Sequence, residues 1–215
     1  MRVVIAGGHG QIALHLEQML AERGDEAVGL VRNPEHTADL ERAGAKAAVL
    51  DLEKARVDDV VATIRGADAV VFAAGAGPGS GAERKHTVDR DAAVLLADAA
   101  LAAGVRRYVM VSAINVDDAD PDSDEIFQVY LRAKAAADEY LRGQDLDWTI
   151  VRPGRLTDDP GTGRVRLGPD VEYGEIPRAD VAAVLLGALD DPATAGKQFN
   201  LVGGETPVRT ALTDV

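Results

Sequence analysis

The chain has no cysteine and few aromatic residues: four tyrosines, three phenylalanines and one tryptophan among 215 residues. Without thiols it can form no disulfide, thiolate metal site, iron–sulfur cluster or cysteine nucleophile. Its four histidines, His9, His15, His36 and His86, show no metal-ligand spacing. No apolar run approaches the ~18–20 residues that span a bilayer. The N-terminal stretch from Met1 to Gly8 lacks the long apolar segment of a secretory signal, so a cytoplasmic protein is expected. Basic residues are the minority, 23 against 36 acidic ones, for a net charge of −13 and a pI near 4.7. Such a surface repels phosphate backbones and anionic lipid, so neither nucleic acid nor membrane is an expected partner. A small anion held in a local basic pocket remains compatible with it.

What is present is a repeating pattern. Val3–Ala6 is a short buried-strand run, and Ile12, Leu16, Met19 and Leu20 then recur on one helix face. Gly24, Gly44, Gly66, Gly104 and Gly143 each stand between a helical stretch and an apolar run, as helix-ending glycines in the left-handed conformation do. The reading places strands near 2–6, 27–31, 47–51, 69–73, 105–111, 147–152 and 198–202. The longest helices are expected near 84–103 and 125–142, with a last one near 178–190. Strands apolar on both faces, alternating with helices, predict an α/β fold: a single-domain Rossmann-type doubly wound parallel sheet over residues 1–215. The Gly/Pro/Ser-rich stretch Gly75–Gly81 falls between a strand and a helix, where a ligand-facing loop belongs.

Directly after the first strand comes Gly7-Gly8-His9-Gly10-Gln11-Ile12-Ala13, opening the first helix. Without β-carbons, Gly7 and Gly10 let the chain turn tightly and let a pyrophosphate reach the helix N-terminus, where free N–H groups favour negative charge. His9 is read as a loop residue near the phosphates, without chemistry of its own. The second strand ends in Arg32, a residue type that pairs with the 2′-phosphate of NADP, whereas Asp25 and Glu26 open that strand at its wrong end. NADP(H) is therefore expected over NAD(H). The competing reading of Arg32 is a solvated surface arginine.

With these residues the chain resembles the atypical NAD(P)H-binding branch of the short-chain dehydrogenases/reductases, of the flavin/biliverdin reductase-like and epimerase/dehydratase-like type. The resemblance runs in order through Asp51-Leu52, Ala73-Ala74-Gly75, Val88-Asp89-Arg90-Asp91, Val109–Ser112, Tyr130–Lys134, Thr149–Gly154 and Arg178–Val181. It implies that Asp51 and Leu52 lie near the adenine and that Ala73, Ala74 and Gly75 lie beside the adenosine ribose. Pro153, Gly154 and Arg155 would lie at the nicotinamide. It further implies a catalytic Ser112, Tyr130 and Lys134: the tyrosine exchanging the substrate proton, the serine bonding the substrate oxygen, and the lysine holding the nicotinamide ribose while lowering the tyrosine's pKa. Tyr130 and Lys134 are i and i+4, hence neighbours on one helix face. An acidic insert, Asp117–Glu125, departs from the family pattern and could draw Tyr130 away, leaving it as a packing residue.

The stretch from about 153 to 215 should face the substrate, and it is too short for the substrate domain of the longer nucleotide-sugar epimerases. Arg155, Arg164 and Arg166 could meet an anionic group or form a solvated basic loop. The expected function is an NADP(H)-dependent oxidoreductase passing hydride to a small carbonyl, quinone or flavin-like acceptor, as a monomer or small homo-oligomer. The alternative is an NADP(H)-binding redox-sensing regulator without turnover.

Overall fold

The computed structural model describes residues 1–77 and 79–215, so Pro78, within the glycine-rich loop, lies outside the described residues. The chain begins with β1 (Arg2–Ala6), α1 (Gln11–Glu22), β2 (Glu26–Val31), α2 (Thr37–Arg42), β3 (Lys46–Val49), α3 (Val57–Ile64) and β4 (Ala69–Phe72). A one-turn α4 (Ala82–Arg84) runs into a π-helical segment, Lys85–Asp91, and then α5 (Ala92–Ala103). Next come β5 (Arg107–Val111), α6 (Ile126–Arg142), β6 (Asp147–Pro153), β7 (Arg155–Thr157), β8 (Arg164–Gly168) and β9 (Glu175–Pro177). The chain ends with α7 (Arg178–Asp190), β10 (Lys197–Gly203), β11 (Thr206–Pro207) and α8 (Val208–Thr213). Among the described residues no helix is long and apolar enough to cross a membrane.

The main sheet has nine strands in the order β11-β8-β10-β6-β5-β4-β1-β2-β3. All pairings from β3 through to β10 are parallel. Parallel strands need helical crossovers, and the crossovers here cover both faces, giving the doubly wound Rossmann-like arrangement. Alternation along β1 shows the division: Val3 and Ile5 pack with Leu16, Leu20, Leu185 and Phe199 on one face. Val4 and Ala6 pack with Phe72, Leu96, Leu141 and Ile150 on the other. Strand order reverses between β1 and β4, which opens a crevice at the carboxyl ends of those strands.

The expected strands and the three expected helices occur within one to three residues of their places. Two features differ. The sheet is not wholly parallel: β8 runs antiparallel to β10, and β11 antiparallel to β8, closing the C-terminal edge. The helix expected over 84–103 is split by the π-helical Lys85–Asp91, whose wider turn changes which residues face the crevice. Of the five helix-ending glycines, Gly24, Gly44, Gly66 and Gly104 have positive φ, whereas Gly143 ends α6 at φ −81° and is right-handed. A second, two-stranded parallel sheet, β7 with β9, stands beside the crevice and carries Arg155 against Glu175.

Candidate active site

The turn after β1 is built so that nothing but backbone occupies it. Gly7 has φ +82°, and a β-carbon there would lie 2.6 Å from Ala74 Cα at the end of β4. Gly8 approaches β2 as closely: its β-carbon would meet Gly29 Cα at 2.6 Å. Gly10 is the N-cap of α1, and no side chain caps that helix, so its leading N–H groups have no side-chain partner. A narrow, uncapped, Cβ-free cradle at a helix N-terminus fits a dinucleotide pyrophosphate.

On one side of this cradle lies a hollow of about 280 Å³ lined by Gly7, His9, Gly10, Arg32, Asp51, Leu52, Glu53, Ala73, Ala74, Gly75 and Arg84, among others. His9 stacks on His36 with ring centroids 3.6 Å apart, and its Nε2 lies 2.6 Å from Asp39 Oδ2. Asp51 pairs with Lys54 at 3.0 Å. Arg32 is exposed at the lip and reaches Glu53, which also receives Arg84 and the Thr87 hydroxyl.

On the other side is a larger hollow of about 840 Å³ that shares Ala73–Ala76 with the first. It brings Ile12, Ser112, Tyr130, Lys134, Pro153, Gly154 and Arg155 together. Gly154 is obligatory there, since a β-carbon would fall 2.1 Å from the carbonyl oxygen of Gly174. Lys134 is almost fully buried where β4 and β5 end, donating to the carbonyls of Val111 (3.1 Å) and Ala74 (3.3 Å). Its counter-ion is Asp89 of the π-helical segment, 3.5 Å away and wholly buried, which also accepts from the Ala76 N–H. Burial lowers the Lys134 pKa, against the opposing pull of Asp89 and Asp138.

Tyr130 makes no side-chain hydrogen bond among the described residues. Its ring lies 6.0 Å from that of Phe127, with the Lys85 ammonium 5.4 Å from its centroid. The resemblance implies a tyrosine acidified by Lys134, while the surroundings of Tyr130 here act the other way. Burial, then the charges of Asp89 and Asp138, push the Tyr130 hydroxyl above the usual phenol range. The Lys134 ammonium has Asp89 as its counter-ion, while Asp138 is paired with Arg152. Ser112 Oγ is buried with no hydrogen-bond partner among the described residues, next to Asp138.

The acidic insert is folded rather than intrusive. Arg152, buried on β6, bonds Asp138 of α6 at 2.8 Å and forks onto both oxygens of Asp117. α6 therefore starts at Ile126, and Tyr130 falls in its second turn, inside the cleft. At the cleft's outer lip stand three exposed apolar side chains: Ile126, Phe127 (61% exposed) and Tyr173 (58%).

Of the cofactor-binding and catalytic residues expected from sequence, all but Gln11 line these two hollows; Gln11 is exposed and lines a separate hollow with Leu14, His15 and Arg178. Arg155 reaches the mouth but is exposed and bonded to Glu175, while Arg164 and Arg166 lie on the antiparallel edge strand. The reading from sequence gave no role to Glu53, Arg84, Lys85, Asp89, Asp138 or Tyr173. For Asp138 a signal was visible: Tyr130, Lys134 and Asp138 recur every fourth residue, which sets them on one face of α6.

Comparison with known proteins agrees with this geometry. Residues 7–192 match the model of a family described as NAD(P)H-binding. A Bacillus subtilis protein described as an uncharacterized sugar epimerase is 37% identical over 213 residues, 99% of each chain. A solved putative NAD-dependent epimerase/dehydratase from Bacillus halodurans superposes with TM-score 0.92 at 35% identity, covering 100% of both chains. A solved oxidoreductase from Lactococcus lactis superposes with TM-score 0.88 at 25% identity, covering 100% of this chain and 96% of that one. The glycine cradle, the strand-order reversal above it and the end-to-end match together show that the chain belongs to the NAD(P)H-binding family.

Proposed function

We propose that the chain is an NADPH-preferring oxidoreductase that reduces a planar, conjugated acceptor of quinone, flavin or enone type. The observation that carries this reading is the form of the second hollow. It meets the smaller hollow along Ala73–Ala76, is lined by Ser112, Tyr130 and Lys134, and is lipped by the exposed Ile126, Phe127 and Tyr173. The two aromatic rings of this lip, Phe127 and Tyr173, left in water around the cleft favour a flat apolar partner. A bound dinucleotide supplies the hydride.

The protein's own groups do the rest. Lys134 gives two of its three donors to the carbonyls of Ala74 and Val111 and faces Asp89 at 3.5 Å; we infer that a ribose hydroxyl would take the place of one of these contacts and so orient the nicotinamide side of the site. Tyr130 faces the cleft as a protonated phenol and can give its proton to an acceptor oxygen, although burial and two carboxylates, by raising its pKa, weaken it as an acid. Arg32 at the adenosine lip supplies the cation for a 2′-phosphate. The L. lactis relative's description as an oxidoreductase supports the same reading. The descriptions of the two Bacillus relatives point instead to epimerisation or dehydration, for which the residues beyond Pro153 provide little substrate-binding structure.

The test is loss of NADPH absorbance with a panel of naphthoquinones, FMN and aromatic enones, followed by Tyr130→Phe. With an enone or other carbonyl acceptor, turnover should drop ~10²–10⁴-fold, the scale of a general acid. With a flavin it should change little, because hydride can enter such a ring without a side-chain acid. NADPH that binds but is consumed with no member of the panel would replace this reading with the redox-sensing one.

A further inference from the structure

Three charged side chains from three separate parts of the chain meet at the adenosine end of the cleft. Arg32 comes from the end of β2, Glu53 from the turn after β3, and Arg84 from α4 just ahead of the π-helical segment. Arg84 Nη2 and Arg32 Nη1 both donate to Glu53 Oε2, at 3.0 and 3.3 Å. The Thr87 hydroxyl donates to Oε1 at 2.7 Å. All three charged residues line the same hollow, and Glu53 is the least exposed of them.

A carboxylate and a phosphate monoester present the same acceptor edge to a guanidinium fork. The two arginines are therefore already aimed at one anion, and at present that anion belongs to the protein. A carboxylate beside a ribose is also the group that accepts from its hydroxyls when no phosphate is there.

We propose that Arg32, Glu53 and Arg84 form a two-way cofactor selector. With NADPH, the two guanidinium groups leave Glu53 for the 2′-phosphate. With NADH, they stay on Glu53 while its carboxylate accepts from the ribose hydroxyls. Glu53 thereby limits the preference for NADPH and keeps NADH usable. This rests on the reading of the smaller hollow as the adenosine end of the cofactor site.

The measurement is the ratio of the Kd for NADH to the Kd for NADPH, taken by calorimetry on the whole chain. Glu53→Gln keeps the side-chain shape and removes the competing charge, so it should tighten NADPH, weaken NADH and raise the ratio about tenfold or more. Arg84→Ala, on a different element, should lower the ratio about fivefold or more. A Glu53→Gln ratio that stays level or falls overturns the selector, as does an unchanged ratio in Arg84→Ala. A wild-type chain that binds neither dinucleotide overturns the underlying reading of the hollow, an outcome distinct from binding both with an unaltered ratio.

Discussion

Lys134 is a single residue asked to be both buried and charged. It is tolerated because two carbonyls and Asp89 surround the ammonium, and Asp89 in turn is wholly buried. Removing either partner leaves the other's charge uncompensated in a low-dielectric place, which costs about 3–5 kcal/mol. Lys134→Met and Asp89→Asn should each lower the unfolding free energy, measured by urea titration, by that scale. The double variant, having no buried charge to strand, should recover much of the loss while staying inactive. If the double variant were as unstable as the sum of the singles, the two residues would not act as a pair. The sequence showed Lys134 through its spacing from Tyr130. It could not show Asp89 as its partner, because that contact depends on the π-helical turn, which shifts a side chain without leaving a hydrophobic signature.

At the level of elements, the turn between β1 and α1 is held down on both sides, onto β4 through Gly7 and onto β2 through Gly8 and Gly29. Gly8→Ala would push a methyl into the Gly29 backbone, which cannot rotate away as a side chain could. A loss of about 1–3 kcal/mol in urea unfolding is expected, with weaker NADPH binding by calorimetry because the cradle is lifted off the sheet. Unchanged values for both would mean that the loop has room to move. Such backbone contacts explain what was legible from sequence. Strand periodicity, helix-ending glycines and the Gly7–Ala13 loop located β1 to β6, β10, α1 and α5 to α7, because each has a local signature. The short β7, β9 and β11 and the antiparallel β8 have none: they are fixed by what they pair with across the chain. The acidic insert likewise read as a disturbance because its anchor, Arg152, sits 35 residues from Asp117.

For the whole molecule, pH acts through two opposed sets of carboxyl groups. Glu53, Asp39 and Asp117 are held below their ordinary values by hydrogen bonds and cationic neighbours, so the stability they give is lost as pH falls through the acid range. Glu17 behaves oppositely. It is wholly buried on α1 with neither oxygen hydrogen-bonded among the described residues, and burial raises its pKa from 4.5 to about 8. Between those two values the unfolded chain is ionised at Glu17 while the folded chain still holds the proton. Stability therefore falls as pH rises through that window and levels off above it. Calorimetric Tm should peak on the acid side of neutrality, and Glu17→Gln should flatten the alkaline limb, gaining about 1–4 kcal/mol at pH 8.5. An alkaline limb unchanged in that variant would assign the slope to other groups. The apolar lip of Ile126, Phe127 and Tyr173 meets this same pH axis from the side of colloid behaviour. At neutral pH the net charge of −13 keeps copies of the chain apart despite that wet apolar surface. Near the pI of 4.7 the repulsion vanishes, and association through this exposed apolar lip is the expected first step of aggregation. The chain is thus expected to be hardest to unfold close to where it is hardest to keep dispersed, and any ligand that covers the lip would also act as a solubiliser.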